Sequence, residues 1–62
     1  MKVKVVNKAD STIFNIYENV NSVTDTFDDN GNYCHQLHIG EETATFPAMD
    51  WAFFELTWVS MF

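Results

Sequence analysis

Residues 28–32, with the sequence Asp-Asp-Asn-Gly-Asn, separate two stretches in which apolar and polar residues alternate. Asn30-Gly31 favours a tight hairpin, because both residues tolerate the positive φ angles that the favoured two-residue turns require. The stretch before the turn, 22–27, alternates with Val23, Asp25 and Phe27 on one parity. The stretch after it, 33–39, has a period of two and places these residues on one face: Tyr33, His35, Leu37 and Ile39. The sequence therefore predicts a β-hairpin centred on Asn30-Gly31.

The same period of two runs through most of the remaining chain. It predicts further strands over 1–6, 12–17, 43–46 and 51–59, separated by polar or proline-containing turns. We expect an all-β fold, a small antiparallel meander of about four to five strands that forms one domain over residues 1–62. Apolar spacings of three and four leave one short helical turn near 47–54 as the alternative for that stretch.

The composition excludes two classes of protein. Hydrophobic residues make up 47% of the 62 residues and aromatic residues 16%, which is too apolar for a disordered acidic tail. Nine acidic residues against three lysines give a formal charge of −6. A chain without a lysine or arginine face is poorly suited to neutralise phosphates, so we expect no direct nucleic-acid binding.

No motif of catalysis is present. The serines Ser11, Ser22 and Ser60 lie outside any nucleophile-elbow pattern, and the two glycines are explained by turns. The paired acids Asp28-Asp29 and Glu41-Glu42 fall in predicted turns. Solvation there keeps the pKa values of carboxylates near those of free side chains, which makes them unsuited to act as general acids. We therefore expect a protein that is not an enzyme.

The single cysteine bears on stability and on the cellular compartment. Chains of this length bury little surface and are often stabilised by disulfides, a metal or self-association. Cys34 is the only cysteine, which excludes a disulfide within the chain and fits a reducing compartment. No apolar run approaches the roughly 20 residues of a membrane span, and residues 1–6 are too short and interrupted for a signal peptide. The expectation is a soluble, cytoplasmic protein.

Three soft metal ligands, Cys34, His35 and His38, fall within five residues of one another. Thiolate and imidazole are the ligands that zinc prefers, and a fourth ligand could come from an aspartate of the hairpin, from water or from a second chain. In a regular strand, however, Cys34 and His38 share one face and His35 lies on the other. The two interpretations are a zinc site, and a small buried cysteine with two half-exposed histidines.

Aromatic residues crowd the end of the chain. In a strand over 51–59 both faces are largely apolar, so the strand is either buried on both sides or has a surplus face for a partner. The aromatic candidates for partner binding are Trp51, Phe53, Trp58 and Phe62.

Acidic residues form two groups at predicted hairpin ends, and they are the charged candidates for partner binding: Asp25, Asp28, Asp29, Glu41 and Glu42. Surface acids commonly provide solubility. The alternative is attraction to a basic protein surface, which speeds encounter and makes binding sensitive to salt.

The opening strand at 2–6, the segment Ile16-Tyr17-Glu18-Asn19-Val20 and the hairpin Asp29-Asn30-Gly31 resemble those of very small acidic β-proteins encoded by phages and prophages. In size and charge the chain is also similar to anti-CRISPR proteins. The resemblance implies an inhibitor that acts in the host cytoplasm and occupies the basic, nucleic-acid-facing surface of a host defence nuclease such as a Cas9-like enzyme. The alternative is a self-assembling accessory protein of phage origin, such as a homodimer, and zinc is compatible with both.

Overall fold

The computed structural model describes residues 1–56, which form six β-strands and no helix. The all-β prediction is confirmed, while the number of strands is six rather than four to five. No helix in the described range could cross a membrane. The strands are β1 (Lys2–Asn7), β2 (Phe14–Tyr17), β3 (Ser22–Phe27), β4 (Tyr33–Ile39), β5 (Glu42–Pro47) and β6 (Trp51–Leu56).

The strands are divided between two antiparallel sheets of three. The second sheet has the order β3-β4-β5, so the predicted meander is present over these three strands only. The first has the order β2-β1-β6, so that its central strand pairs with the last strand of the described chain, Val5 lying opposite Phe53. A single meander would leave β6 beside β5. Pairing with β1 instead lets two apolar faces, one from each sheet, cover each other.

Residues 47–54 do not form the alternative helical turn. Residues 48–50 make a tight turn in which the Asp50 N–H donates to the Pro47 carbonyl at 3.1 Å. The chain then continues as β6, whose pairing with β1 extends over six residues. Backbone hydrogen bonds to β1 keep β6 extended. In an extended strand successive side chains point to opposite faces, so the apolar residues of β6 alternate between the two faces.

The predicted hairpin lies where expected, but its turn differs. Gly31 N–H donates to the Asp28 carbonyl at 3.0 Å, and Asp28 N–H donates to the Asn32 carbonyl at 2.9 Å. Gly31 has φ +82°, whereas Asn30 does not adopt a positive φ. The loop is a β-turn followed by a glycine in the left-handed region, not the two-residue turn with two positive φ angles.

A small core lies between the sheets. Its buried members are Val3 and Val5 from β1, Leu37 from β4 and Val20 from the β2–β3 connection. The lysines at positions 2 and 4 alternate with the buried valines and face away from the core. Half-buried residues packed around these four are Tyr17, Ile39, Ala44, Phe46, Trp51 and Phe53.

Candidate functional site

Three loops meet at one end of the molecule: residues 8–13, 28–32 and 48–50. Two backbone hydrogen bonds join neighbouring segments there. Lys8 N–H donates to the Asp50 carbonyl at 2.8 Å, and Ala48 N–H donates to the Tyr33 carbonyl at 3.0 Å. We call these loops the aspartate end, because they contain four aspartates, Asp10, Asp28, Asp29 and Asp50, and one lysine. Loops that are far apart in the sequence thus form one acidic surface.

Two of the aspartates also order their own loops. Asp28 accepts hydrogen bonds from the N–H groups of Asn30 at 2.9 Å and Asn32 at 2.8 Å, and from the Asn32 side-chain amide at 3.1 Å. Asp10 accepts from the Thr12 hydroxyl at 2.6 Å and from the Thr12 N–H at 3.0 Å. Hydrogen bonds from Asn32 lower the pKa of Asp28, and those from Thr12 lower the pKa of Asp10, because each donor stabilises the ionised carboxylate. Both carboxylates are therefore fixed anions at neutral pH.

An open groove of about 580 Å³ lies at the aspartate end. Its apolar lining includes Pro47, Ala48 and Met49, and its polar lining includes Tyr33 and His35 with Lys8, Asp28, Asn32 and Asp50. Met49 is 79% exposed. The volume lies within the range of about 300–1,000 Å³ that is typical of small-ligand pockets.

Asp25 connects the two aromatic polar residues of the groove. His35 Nδ1 lies 2.8 Å from Asp25 Oδ1, and Tyr33 neighbours His35 on β4 with their ring centroids 5.1 Å apart. The hydrogen bonds from Tyr33 and then His35 lower the pKa of Asp25, and the interaction with Asp25 raises the pKa of Tyr33. An ionised carboxylate only accepts, so Nδ1 of His35 carries a proton in this pair.

The His35 ring also links the two sheets. Its centroid lies 5.1 Å from the Tyr33 ring on the same strand and 5.1 Å from the Phe53 ring on β6. Phe46 of β5 contacts Phe53 and Trp51, with centroid distances of 5.5 and 5.7 Å. The position of the groove is thus determined by the packing of one sheet on the other.

The three predicted metal ligands lie on two different faces of β4, as the alternation of side chains along a strand requires. His35 faces the first sheet, whereas Cys34 and His38 belong to the opposite face of their strand. Cys34 is 2% exposed, and the His38 ring hydrogen-bonds to the hydroxyls of Thr24 at 2.7 Å and Thr43 at 3.3 Å. Among residues 1–56 no group of three or more His, Cys, Asp or Glu side chains is arranged to hold a metal. Zinc binding stays a prediction, but Cys34 and His38 are four residues apart in one strand, or about 13 Å, which is too far for both to ligate the same ion.

The two groups of acidic candidates lie at opposite ends of the second sheet. Asp28 and Asp29 are in the β3–β4 loop, whereas Glu41 and Glu42 are at the β4–β5 turn. The seven residues of β4 separate the two turns by about 20 Å. Asp25 lies within β3 rather than at a hairpin end. A partner that contacts one group therefore reaches the other only if its surface is wide.

Of the aromatic candidates, Trp51 and Phe53 are half-buried on the inward side of β6. Trp58 and Phe62 lie outside the described residues. The exposed aromatic residue of β6 is Phe54, at 53%. Across β1 it shares the outward side of the first sheet with Phe14 and Ile16, which are 45% and 48% exposed. We call Phe14, Ile16 and Phe54 the outer patch.

Sequence reasoning did not find the Tyr33–Asp25–His35 cluster, although the alternation contains a signal for it. A two-residue turn at Asn30-Gly31 would place Asp25 opposite Gln36 and would turn the apolar sides of β3 and β4 to opposite faces. Only a turn with an odd number of residues puts Val23 and Leu37 on the same side, and that register pairs Asp25 with His35. Matching the apolar faces of the two strands would have predicted the pair.

Comparison of this chain with protein-family models, with curated proteins and with solved structures finds no match.

Proposed function

We propose that this protein is a non-enzymatic binding protein that attaches to a basic protein surface through its aspartate end. One observation carries the proposal: three separate loops bring four aspartates and a groove with aromatic walls to one end of the fold. Complementary charge speeds association and aligns the partners. The exposed Met49, together with Phe27 and Tyr33 (67% and 43% exposed), supplies apolar contacts beside the charges.

The partner that we propose is a nuclease whose nucleic-acid groove is basic, such as a Cas9-like host defence enzyme. A small domain with a net charge of −6 is attracted to such a basic groove and can compete there with the negatively charged nucleic acid. The resemblance to phage-encoded acidic proteins and to anti-CRISPR proteins supports this choice, and it sets the proposed site of action in the host cytoplasm.

The experiment compares two charge reversals of equal size at opposite ends of the second sheet. The first variant combines Asp29→Lys with Asp50→Lys, because neither side chain makes a hydrogen bond within residues 1–56 that its loop needs. Asp28 is left unchanged, since its carboxylate holds the β3–β4 loop. The control combines Glu41→Lys with Glu42→Lys.

Binding to a purified Cas9-type nuclease, free and loaded with guide RNA, is measured by titration calorimetry at two salt concentrations. We expect the aspartate variant to bind much more weakly than the control, and wild-type affinity to fall as salt is raised. Equal losses in both variants would show that only net charge matters, and wild-type affinity that is unaffected by salt would contradict attachment through charge.

A second candidate function is self-assembly, and the outer patch favours it. Its three large apolar side chains are each about half exposed, whereas only five hydrophobic side chains are buried among residues 1–56. Exposed apolar patches commonly mark sites of association. Sedimentation velocity of the wild type and of Phe54→Lys over a range of concentrations tests this candidate: a wild type that stays monomeric at high concentration contradicts it.

A further inference from the structure

We propose that β2 pairs with β2 of a second copy of this chain, so that the first sheets of two copies join edge to edge about a twofold axis. Pairing through β2 is independent of nuclease binding. It rests on the second candidate function, self-assembly, and specifies the strand through which the copies meet.

Four strands of the described chain lie at the edges of the two sheets: β2, β3, β5 and β6. Natural proteins prevent unwanted pairing of such edges with charged residues or proline. Within residues 1–56 three of the four edges have this protection, because β3 contains Asp25, β5 contains Glu42 and Pro47, and β6 contains Glu55. The sequence of β2 is Phe-Asn-Ile-Tyr, with neither a charge nor a proline. β2 is therefore the edge most open to another strand.

The hydrogen-bond pattern of the first sheet determines which backbone groups of β2 face this open edge. Asn7 N–H donates to the Ile13 carbonyl at 2.9 Å, and hydrogen-bonded pairs alternate with non-bonded pairs along an antiparallel ladder. Asn15 therefore exchanges its backbone hydrogen bonds with β1, whereas the N–H and carbonyl groups of Phe14 and Ile16 point away from β1. The edge thus offers two donors and two acceptors to a second strand.

An antiparallel pairing centred on Asn15 uses all four of these groups. It places Phe14 of each copy opposite Ile16 of the other, and each such pair exchanges two backbone hydrogen bonds. Both side chains lie on the outward side, 45% and 48% exposed, and aromatic and β-branched residues form favourable cross-strand pairs. The exposed Asn15 meets the same residue of the second copy, and its amide group both donates and accepts. The edge is thus self-complementary, as a twofold interface requires.

The charges around this edge give the pairing a distinctive dependence on salt. The Lys4 ammonium lies over the Phe14 ring of its own copy, 4.4 Å from the centroid, and Lys2 forms an ion pair with Glu18 at 3.6 Å. Each copy carries a formal charge of −6, so two copies repel each other as they approach, and salt screens this repulsion. We therefore expect the dimer to become tighter as salt is raised, which is opposite to the dependence expected for nuclease binding.

Amide hydrogen exchange measured by NMR tests the pairing directly. Only four residues of each copy meet, which is less than a standard interface, so we expect a dissociation constant on the order of 100 µM. Between about 20 µM and about 1 mM protein the exchange of the Phe14 and Ile16 amides should slow about fourfold, as the fraction of monomer falls. The Asn15 amide is protected by β1 at every concentration. Contact through the outward faces of the sheets would leave the edge amides exposed.

A pair of lysine variants separates the edge from the rest of the outer patch. Ile16→Lys introduces a charge at the edge and removes both cross-strand pairs with Phe14. Phe54→Lys is the matched control, because Phe54 is 53% exposed on the outward side of β6 and the change in net charge is the same. In sedimentation equilibrium we expect Ile16→Lys to weaken the dimer at least about tenfold and Phe54→Lys to change it less than about threefold.

The possible results distinguish the β2 pairing from the functions proposed above. A wild type that is monomeric at about 1 mM would overturn both the β2 pairing and self-assembly. Equal losses in the two lysine variants, or association without slower exchange at Phe14 and Ile16, would overturn the β2 pairing alone and indicate a different surface of self-assembly. Nuclease binding is tested separately, by the charge reversals at the aspartate end.

Discussion

Val5 and Val6 are adjacent residues of one type on opposite faces of β1, so the same substitution at each measures which face is buried. Val5 is fully buried between Phe53 and Asn15, whereas Val6 lies beside Phe14 and Ala52 on the outward side and is only half-buried. The loss of β-propensity on replacement by alanine is common to both positions. The difference between the two variants therefore reports burial.

The expected magnitude follows from this burial. Val→Ala removes two methyl groups, which contribute about 0.8 kcal/mol each when fully buried. A residual cavity at Val5 raises the cost to about 2–2.5 kcal/mol. At Val6 the partial exposure keeps it below about 1 kcal/mol. A chain of this length has a free energy of unfolding of about 3–9 kcal/mol, so both variants should remain folded.

Urea denaturation followed by circular dichroism measures both free energies of unfolding. With a slope of about 1 kcal/mol per M, the midpoint should fall by about 2 M for Val5→Ala and by less than about 1 M for Val6→Ala. Equal shifts, or a larger shift for Val6→Ala, would refute the proposed orientation of the first sheet. Repeating the measurement at a higher protein concentration separates intrinsic burial from self-association, since only an associating outer patch makes the cost at Val6 depend on concentration.

Four further outcomes are expected. The pKa of Asp25 is lowered in the folded protein, so the ionised carboxylate stabilises the fold at pH values above the ordinary pKa of aspartate. This stabilisation is lost as the pH falls through the pKa of Asp25 in the folded state. Asp25→Asn should therefore make the melting temperature fall less steeply with decreasing pH in the acidic range. The pKa of Tyr33 is raised in the folded protein, so its protonated hydroxyl stabilises the fold at pH values below the ordinary tyrosine pKa of about 10. This stabilisation is lost as the pH rises through the pKa of Tyr33 in the folded state. Tyr33→Phe should therefore remove this loss of stability at alkaline pH. Gly31→Ala should lower the free energy of unfolding by about 1 kcal/mol, because alanine is strained at positive φ, and Asn30→Ala should cost less in the same urea assay. If zinc is bound, native mass spectrometry should show one added zinc that a strong chelator removes and that is missing in Cys34→Ser; an unchanged mass in the presence of zinc would contradict the prediction.

Local pattern was sufficient to predict the all-β class, the position of the hairpin and the alternation along β4. Leu37 is buried and faces the same side as His35, as the period of two requires. The turn type was wrong because Asn30-Gly31 is compatible with several hairpin geometries. The choice among them depends on which register turns the apolar sides of β3 and β4 to the same face.

The candidate site was only partly predictable for a related reason. Asp28 and Asp29 were recognised from their turn, but nothing local brings them near Asp50 or Lys8. That proximity results from the pairing of β6 with β1 and from the hydrogen bond between Lys8 and Asp50. The period of two places Phe54 and Phe53 on opposite sides of β6, yet both sides are largely apolar, so alternation did not indicate which side would be covered.

The sequence by itself determined where the chain turns and which residues share a face, because backbone preferences and the two-residue period act over a few neighbouring positions. Only the tertiary structure decided that β1 pairs with β6, that Val3 and Val5 rather than the outer patch form the core, and that residues from three distant loops line one open groove. These features depend on which pairing of sheets buries the most apolar surface, and residues far apart in the chain contribute to that free energy together.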